Sequence, residues 1–589
     1  MKLISSEYIK AKTGVKNQQL LKLIMSSMKI GKINQLYSSL PKNNEKEFLS
    51  KLISDLNINI ELDPSDLANI PSEGQFFTVS NHPFGGWDAL LLLHVIKSVR
   101  NDFVLLGDSI LTKILPLKSS VIKRNFDKSS GVVASSEINL KMINNNNPIG
   151  FFPSLDVSNF NSVKKRFTDS RWDSSIIRTI KNGNVPVIPI YFEGKNSIVF
   201  NTLGLIHPSL NSAFVGSEFL KKKNQTIKLR IGKPISVKEQ NEFSGVNEFG
   251  RYLRARTYCL GTQNDPVKFY FPKVLKYKKP LRIIKAINST KIVSEIEEIT
   301  ENSLLFKVKQ FEVFCASSSE IPNILREIGR LREVTFRTIG EGSNKSVDLD
   351  QYDLYYKHLF IWDTEQKNIV GAYRVGQGDM IYNRYGKQGF YINSLFKIKK
   401  SFNPVLQNGL ELGRSFIRNE YQKNPIALFL LWKGILYYLL KNEQYRFLFG
   451  PASISNQFPA ASRSLIVDFI KSNYFNENLS KSVKPRKKFS SSSFYKEIDY
   501  KGFNSKNPKH IESLMQSMEP KFFKIPVLIK KYIKQNAKFI GFNVDPKFNK
   551  ALDGFLVLDL FEVSDSTILS LSKEMNDESI LKRFELTNQ

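Results

Sequence analysis

Two stretches of this chain place side chains that could move protons. In Asn81-His82-Pro83-Phe84-Gly85-Gly86-Trp87-Asp88 a histidine closes an apolar run, and an aspartate follows across a glycine turn. If the turn folds the imidazole back onto the carboxylate, the acid fixes the tautomer and stabilises the imidazolium. The other ring nitrogen could then take a proton from an attacking hydroxyl or amine. No serine or cysteine motif for a covalent intermediate stands beside His82 and Asp88, so direct transfer is the simpler chemistry. A loop histidine bonded to a helix-capping aspartate is the bland alternative. The second stretch is a series: RLREVTFR (Arg330 to Arg337), VDLDQYD ending at Asp353, IVGAYRV (Ile369 to Val375) and LELGRSFI (Leu410 to Ile417). Taken singly, such charges read as surface ion pairs, which are common and energetically minor. As an ordered set they could recognise a carboxylate and accept a proton.

The elements that must position these groups are α/β. FFTVS reads as a strand running into the glycine turn, and WDALLLLHVIKSV as the helix that follows. Apolar runs recur at FVLLG, PIGFFP and VPVIPIYFEG, the pattern of a largely buried sheet. Beyond residue 285 a second unit is expected, with strands at HLFIWD, NIVGAYRVGQ and FYINSLF, and with GLELGRSFI followed by a helix. A length of 589 residues is too long for one core. The expected division is a helical extension over 1–55, a first catalytic domain over 56–270, a linker over 271–295 and a second domain over 296–589. Within it, Asn144 to Pro148 and the basic, serine-rich Lys481 to Phe494 read as loops. His358 reads as a structural strand residue, because no metal-spaced partner is near it.

Composition narrows the partners. The net charge is +31, from 86 Lys and Arg against 55 Asp and Glu. Such an excess concerns association more than fold, and nucleic acid, an anionic membrane face or an acidic carrier protein would all answer it. No helix-turn-helix, zinc-finger or RNP signature supports nucleic acid. Two cysteines give no disulfide framework, and the N-terminus lacks a signal-peptide pattern. The most apolar run, Pro425 to Leu440, is short for a membrane span and reads as a buried helix. Lys521 to Lys534 mixes apolar and lysine positions, and could touch a membrane or edge the core.

Around His82 and Asp88 the order of motifs resembles the glycerol-phosphate and lysophosphatidate acyltransferase superfamily, whose hallmark is N-H-x4-D. Gly150-Phe151-Phe152-Pro153 stands at that family's third block and Val185 to Pro189 at its last. The spacing here is x5, in the NHPFGG form of a hemolysin-like branch. Phe152-Pro153-Ser154-Leu155-Asp156-Val157-Ser158 departs from that branch's F-P-x-G-E-V-S at the glycine and the acid. The resemblance implies His82 as general base, Asp88 as its orienting partner, and Phe152, Pro153 and Asp156 at the acceptor. Lys164, Lys165 and Arg166 could hold a pantetheine or headgroup phosphate, or could be a solvated surface run.

The second series resembles acyl-carrier-dependent N-acyltransferases of the ornithine-lipid type and, more distantly, acyl-homoserine-lactone synthases. The matching positions are Arg332 with Phe336, Asp350 with Asp353, then Arg374, Glu411 and Arg414. Gly541 to Leu560 resembles the ending of the fused branch. That resemblance implies a GNAT-like fold, a mixed sheet with a splayed strand pair for the pantetheine arm. Amine attack on a thioester needs a neutral nitrogen, so Glu411 could accept the proton, directly or through water. Arg374 and Arg414 could clamp the acceptor carboxylate or orient Glu411.

Joined, the two resemblances imply a glycerolipid-acyltransferase-type α/β domain plus a GNAT-like mixed-sheet α/β domain. The reaction they imply is aminolipid synthesis. A 3-hydroxyacyl chain passes from acyl carrier protein to the α-amine of an amino acid, with ornithine the default and glycine, serine-glycine or lysine open. The 3-hydroxyl is then O-acylated. No metal or bound cofactor is expected, and neither is nucleic acid. The expected partners are acyl carrier protein, the amino acid and an anionic membrane surface, at the cytoplasmic face of the inner membrane. Two alternatives keep the class: lysophospholipid as acceptor of the first domain, or a first domain that only docks.

Overall fold

A computed structural model describes residues 3–13, 15, 17–107, 110–123, 146–154, 159–161, 166–169, 172–194, 219–261, 280–491, 506–518, 523–576 and 578–586. The chain divides into two compact units. One holds Met1–Val267 with Phe494–Ser505 and Glu512–Phe522; the other holds Lys268–Ser493, Lys506–Ile511 and Phe523–Gln589.

The first unit opens with four helices, Ser6–Thr13, Gln18–Ser27, Ile30–Ser39 and Glu45–Asp55. Asn44 caps the last of these, its side chain accepting from the amides of Lys46 and Glu47. Nine strands follow: β1 (Asn59–Leu62), β2 (Phe77–Ser80), β3 (Val104–Gly107), β4 (Val121–Lys123), β5 (Ile149–Phe151), β6 (Asn159–Asn161), β7 (Arg166–Thr168), β8 (Val187–Glu193) and β9 (Thr226–Ile231). Seven form one sheet in the order β1-β9-β8-β2-β5-β3-β4. Only the β8–β9 contact is antiparallel. Strand β2 is buried along its whole length, between β8 and β5. A central strand of a mostly parallel sheet is covered on both faces, which is why FTVS carries little alternation. The helix Gly86–Lys97 packs against β3, with nine of its residues buried.

Among its described residues the second unit has ten strands: β10 (Leu304–Val308), β11 (Phe311–Ser317), β12 (Lys357–Asp363), β13 (Asn368–Gln377), β14 (Phe396–Ile398), β15 (Gly409–Ile417), β16 (Phe447–Ile454), β17 (Val483–Pro485), β18 (Lys538–Asp545) and β19 (Ala551–Asp559). Eight form a mixed sheet, β10-β11-β12-β13-β15-β16-β19-β18. All its neighbours are antiparallel except β15 and β16, which pair in parallel over three residues, from Gly409↔Phe447 to Glu411↔Phe449. Past that point β15 stays with β13 and β16 with β19, so the pair forks. At the fork the backbones are close: a Cβ on Gly450 would stand 2.2 Å from the Leu412 carbonyl oxygen.

Helix Pro322–Thr338 buries Ile324, Leu325, Ile328, Leu331 and Arg332, the three-and-four spacing of one helical face. Phe336, on the next turn, packs half-buried against the same core. Helix Pro425–Lys441 is the apolar run read as buried, with ten core residues across β10 to β13. Among the described residues no helix is long and apolar enough to cross a membrane.

Two local expectations differ from the structure, and a third falls to one of its two alternatives. FYINSLF is not one strand: Ile392–Leu395 is a helical turn, and only Phe396 begins β14. The Lys481 to Phe494 loop contains β17, which pairs with β14; residues 492–494 lie outside the described set. Helix Val527–Lys534 spends its apolar face within its own unit, burying Ile529, Tyr532 and Ile533. The Tyr532 ring meets Trp432 edge-on at 5.2 Å.

Candidate functional sites

The first site forms where three strands of the parallel set end together. Asn81 follows β2 and is locked to β8, its side chain donating to the Phe192 carbonyl at 2.9 Å and accepting from the Phe192 amide at 2.7 Å. That pairing fixes the strand end that carries His82. Gly85 then takes φ 73°, ψ −122°, a conformation closed to most side chains, and starts the helix bearing Asp88. The turn brings His82 Nδ1 to 3.0 Å from Asp88 Oδ2, which also accepts the Phe84 amide at 2.9 Å. Asp88 is fully buried; desolvation pushes its carboxyl above the usual range, against the pull of His82 and the Phe84 amide. The imidazole keeps a partly exposed edge and lies 4.6 Å from the ring of Phe152, just beyond β5. Pro153 holds the same block in place, its carbonyl accepting the Asp173 amide at 2.9 Å.

A residue not singled out from the sequence also belongs here. Asp169, after β7, accepts the backbone amide of His82 and the indole N–H of Trp172, both at 3.2 Å. Its like charge is one of the influences raising the Asp88 carboxyl. Nothing in the local sequence marks it, because its contact spans 87 positions. Arg166 lies on β7 opposite Asn161. Asp156, Lys164 and Lys165 lie outside the described residues.

The second site is built around the fork. Arg332 projects from its helix and donates to Asp353 at 2.9 Å and to the Asp348 carbonyl at 2.6 Å. The three-residue spacing of Asp350 and Asp353 makes a capping box on the turn Gln351–Leu354, each carboxylate accepting a backbone amide of the other's segment. Arg374, on β13, pairs with Asp350 at 2.6 Å and Asp353 at 3.4 Å. Tyr352, Tyr356 and Tyr391 surround its guanidinium with ring centroids at 5.2–5.4 Å. Three arginines and three aspartates thus interlock, but unequally. Arg332 and Arg374 are enclosed and hydrogen-bonded. Arg414 stands 3.6 Å from Asp348 and 3.5 Å from Asp350, and keeps 12% of its side chain exposed.

Arg414 is aimed by an irregularity. Between the pairs Ala372↔Phe416 and Arg374↔Gly413, β15 carries one residue more than β13, a β-bulge, and Arg414 takes φ 52°. A left-handed arginine costs about 1–2 kcal/mol. The strand therefore stores strain where it presents this side chain, over the ring of Phe548 at 4.3 Å.

Glu411 lies one turn of the strand deeper, buried to 1%. Both its oxygens are engaged: the Ile392 amide at 2.6 Å, the Tyr391 amide at 3.0 Å and the Tyr356 hydroxyl. Burial raises its carboxyl to about 7 in spite of these donors. His358, opposite Arg374 in the sheet, touches the Asp353 carbonyl at 3.2 Å, and burial lowers it to about 4, so it is neutral at pH 7.

A model described as "Acyltransferase" matches residues 19–266, and one described as "Acetyltransferase (GNAT) domain" matches 331–433. The chain therefore carries an acyltransferase-type domain followed by a GNAT domain. A glycine N(alpha)-acyltransferase of Phocaeicola vulgatus is 31% identical over 204 residues, 33% of this chain and 62% of that protein. The corresponding protein of Bacteroides thetaiotaomicron is 31% identical over 206 residues, 33% of this chain and 60% of that one. The chain thus spans about three fifths of the length of these relatives. A lyso-glycine lipid O-acyltransferase of Phocaeicola vulgatus is 26% identical over 271 residues, 43% of this chain and 92% of that protein.

Proposed function

We propose that this chain is a bifunctional acyltransferase that builds a two-chain aminolipid. The GNAT domain moves a 3-hydroxyacyl group from a carrier thioester to the α-amine of an amino acid. The first domain then acylates the 3-hydroxyl. What carries the reading is the pairing of domains in one chain: relatives of this sequence are named for N-acylation of glycine and for O-acylation of the resulting lyso-glycine lipid.

In the first domain His82 is the base for the hydroxyl, Asp88 orients it, and Phe152 and Pro153 shape the floor under the acceptor. Asp156, Lys164 and Arg166 retain their assignment to the acceptor and donor phosphate. In the GNAT domain the fork between β15 and β16 receives the pantetheine arm. Arg414 takes the acceptor carboxylate, because its pairings are the loosest of the three arginines. Arg332, Asp353, Arg374 and Asp350 hold the frame. Glu411 is a positioning residue, its saturated carboxylate fixing the Tyr391–Ile392 backbone beside the fork. Acyl carrier protein, an acidic partner, and an anionic leaflet both suit the +31 charge.

Glycine is the first choice of acceptor, on the names of the relatives. Ornithine remains the second, because Glu341, Asp545 and Asp553 add a surplus of carboxyls beside Arg414 that suits an acceptor with a second ammonium. The test is mass spectrometry of the purified full chain given 3-hydroxyacyl- and acyl-carrier protein with glycine, ornithine or lysophosphatidate. The expected product is the two-chain aminolipid, with His82→Ala stopping at the one-chain form. Acylation of lysophosphatidate alone, or an unchanged product from His82→Ala, would refute the assignment of the first domain.

A further inference from the structure

Opposite Arg414, across the fork, one carboxylate is left incomplete. Asp553 lies on β19 in register with Ser453 of β16, the strand that diverges from β15. The Ser453 hydroxyl donates to its Oδ1 at 2.6 Å. Its Oδ2 is buried and, among the described residues, accepts no hydrogen bond, while the residue as a whole is 4% exposed. A buried carboxylate oxygen without a donor costs stability unless something fills the place. The groups that bear on it come from several elements: Asp545 of β18, Glu341 after helix Pro322–Thr338, Arg414 of β15, and Tyr391 just before the turn Ile392–Leu395. Asp545 is already occupied by the Lys547 amide at 2.8 Å. Among the described residues of this cluster, Asp553 Oδ2 is the carboxylate oxygen that is buried and accepts no hydrogen bond, on the opposite lip from the arginine that would hold a carboxylate. An α-amino acid carries its carboxylate and ammonium two bonds apart, so one held by Arg414 turns its nitrogen toward the carboxyl side of the fork.

Resting on the N-acyltransferase reading above, we propose that Asp553 receives the acceptor's α-ammonium and takes its proton. The step balances without an added reagent. The ammonium gives one proton to Asp553 Oδ2, and the neutral nitrogen attacks the thioester carbonyl carbon. The C–N bond forms, the C–S bond breaks, and the departing sulfur takes the second proton that the nitrogen sheds. Asp553 returns its proton to water. Burial, reinforced by Asp545 and Glu341, lifts this carboxyl to about 7 in spite of Ser453 and Arg414, which suits a base working near neutral pH.

The experiment is the pH dependence of kcat for N-acylation by the full chain, with 3-hydroxyacyl-carrier protein and glycine. Wild type is expected to show an acid limb near pH 7. Asp553→Asn is expected to lower kcat about 100-fold or more, to lose that limb, and to recover at alkaline pH, where free amine is present without a base. Ser453→Ala keeps the carboxylate and removes a donor that stabilises its charged form, so the limb moves up. It carries the test alone if Asp553→Asn does not fold. Glu411 and Glu341 titrate in the same range, so both are controls: in Glu411→Gln the rate falls but the limb stays, and in Glu341→Gln the limb persists and moves down, because a like charge beside Asp553 is gone. A limb that survives in Asp553→Asn, stays put in Ser453→Ala, or vanishes in Glu411→Gln or Glu341→Gln overturns the proposal. A wild type that acylates no amine brings down the underlying reading, a failure seen before any variant is made.

Discussion

Arg332 and Arg414 are the same residue type on the same network, and their burial separates their roles. Arg332 is enclosed with Asp353, so Arg332→Ala strips a buried carboxylate of its nearest cation, leaving only Arg374 at 3.4 Å, and should cost about 3 kcal/mol, read as a lower Tm or denaturant midpoint. Arg414→Ala breaks long pairings at 3.5–3.6 Å and the contact over the Phe548 ring, and should cost less, about 1–2 kcal/mol. Its expected effect is a KM for the amino acid raised at least 10-fold, measured by steady-state kinetics. Asp553 supplies a prediction with the opposite sign on stability. Its folded carboxyl titrates near 7, far above its unfolded value, so ionising it weakens the fold as pH rises through that interval. Asp553→Asn should therefore melt higher than wild type at pH 8 and lose that advantage at pH 4. An active-site group that works by being poorly satisfied is expected to trade stability for rate.

Element by element, the strands ends matter more than the strands. The parallel contact of β15 and β16 lasts three residues, and Gly450 sits where their backbones still touch. Gly450→Ala would drive a methyl group against the Leu412 carbonyl oxygen. It should destabilise by roughly 1–3 kcal/mol and reduce N-acylation while leaving O-acylation of a supplied lyso-lipid intact, by product analysis. In the first domain the equivalent pin is Asn81, whose side chain makes two hydrogen bonds to Phe192. The acyltransferase resemblance pointed at His82 and Asp88; Asn81 earns its place by holding the strand end that carries them. The fork and the bulge at Arg414 could not be seen in GLELGRSFI, because a bulge is a mismatch between two strands and neither strand alone encodes it. FYINSLF misled for a related reason: its aromatic and β-branched content favours a strand, but the Ile392 turn is held by hydrogen bonds to Glu411.

For the molecule as a whole, a charge of +31 predicts surface behaviour. Sedimentation with vesicles containing phosphatidylserine should exceed that with neutral vesicles, and should fall when salt rises from about 0.1 M to about 1 M, which shrinks the Debye length from roughly 10 Å to 3 Å. Binding indifferent to both lipid charge and salt would remove the electrostatic argument. The sequence by itself determined the two α/β units, the largely buried sheet of the first and the buried Pro425–Lys441 helix, since hydrophobic period is a property of the chain. It could not apportion the arginines, because Arg332, Arg374 and Arg414 differ only in what surrounds them. It also passed over Asp169 and Asp553, whose partners lie 87 and 100 positions away. Burial and long-range pairing are decided when strands distant in sequence are brought side by side, and there a common aspartate becomes a carboxylate with one oxygen left open.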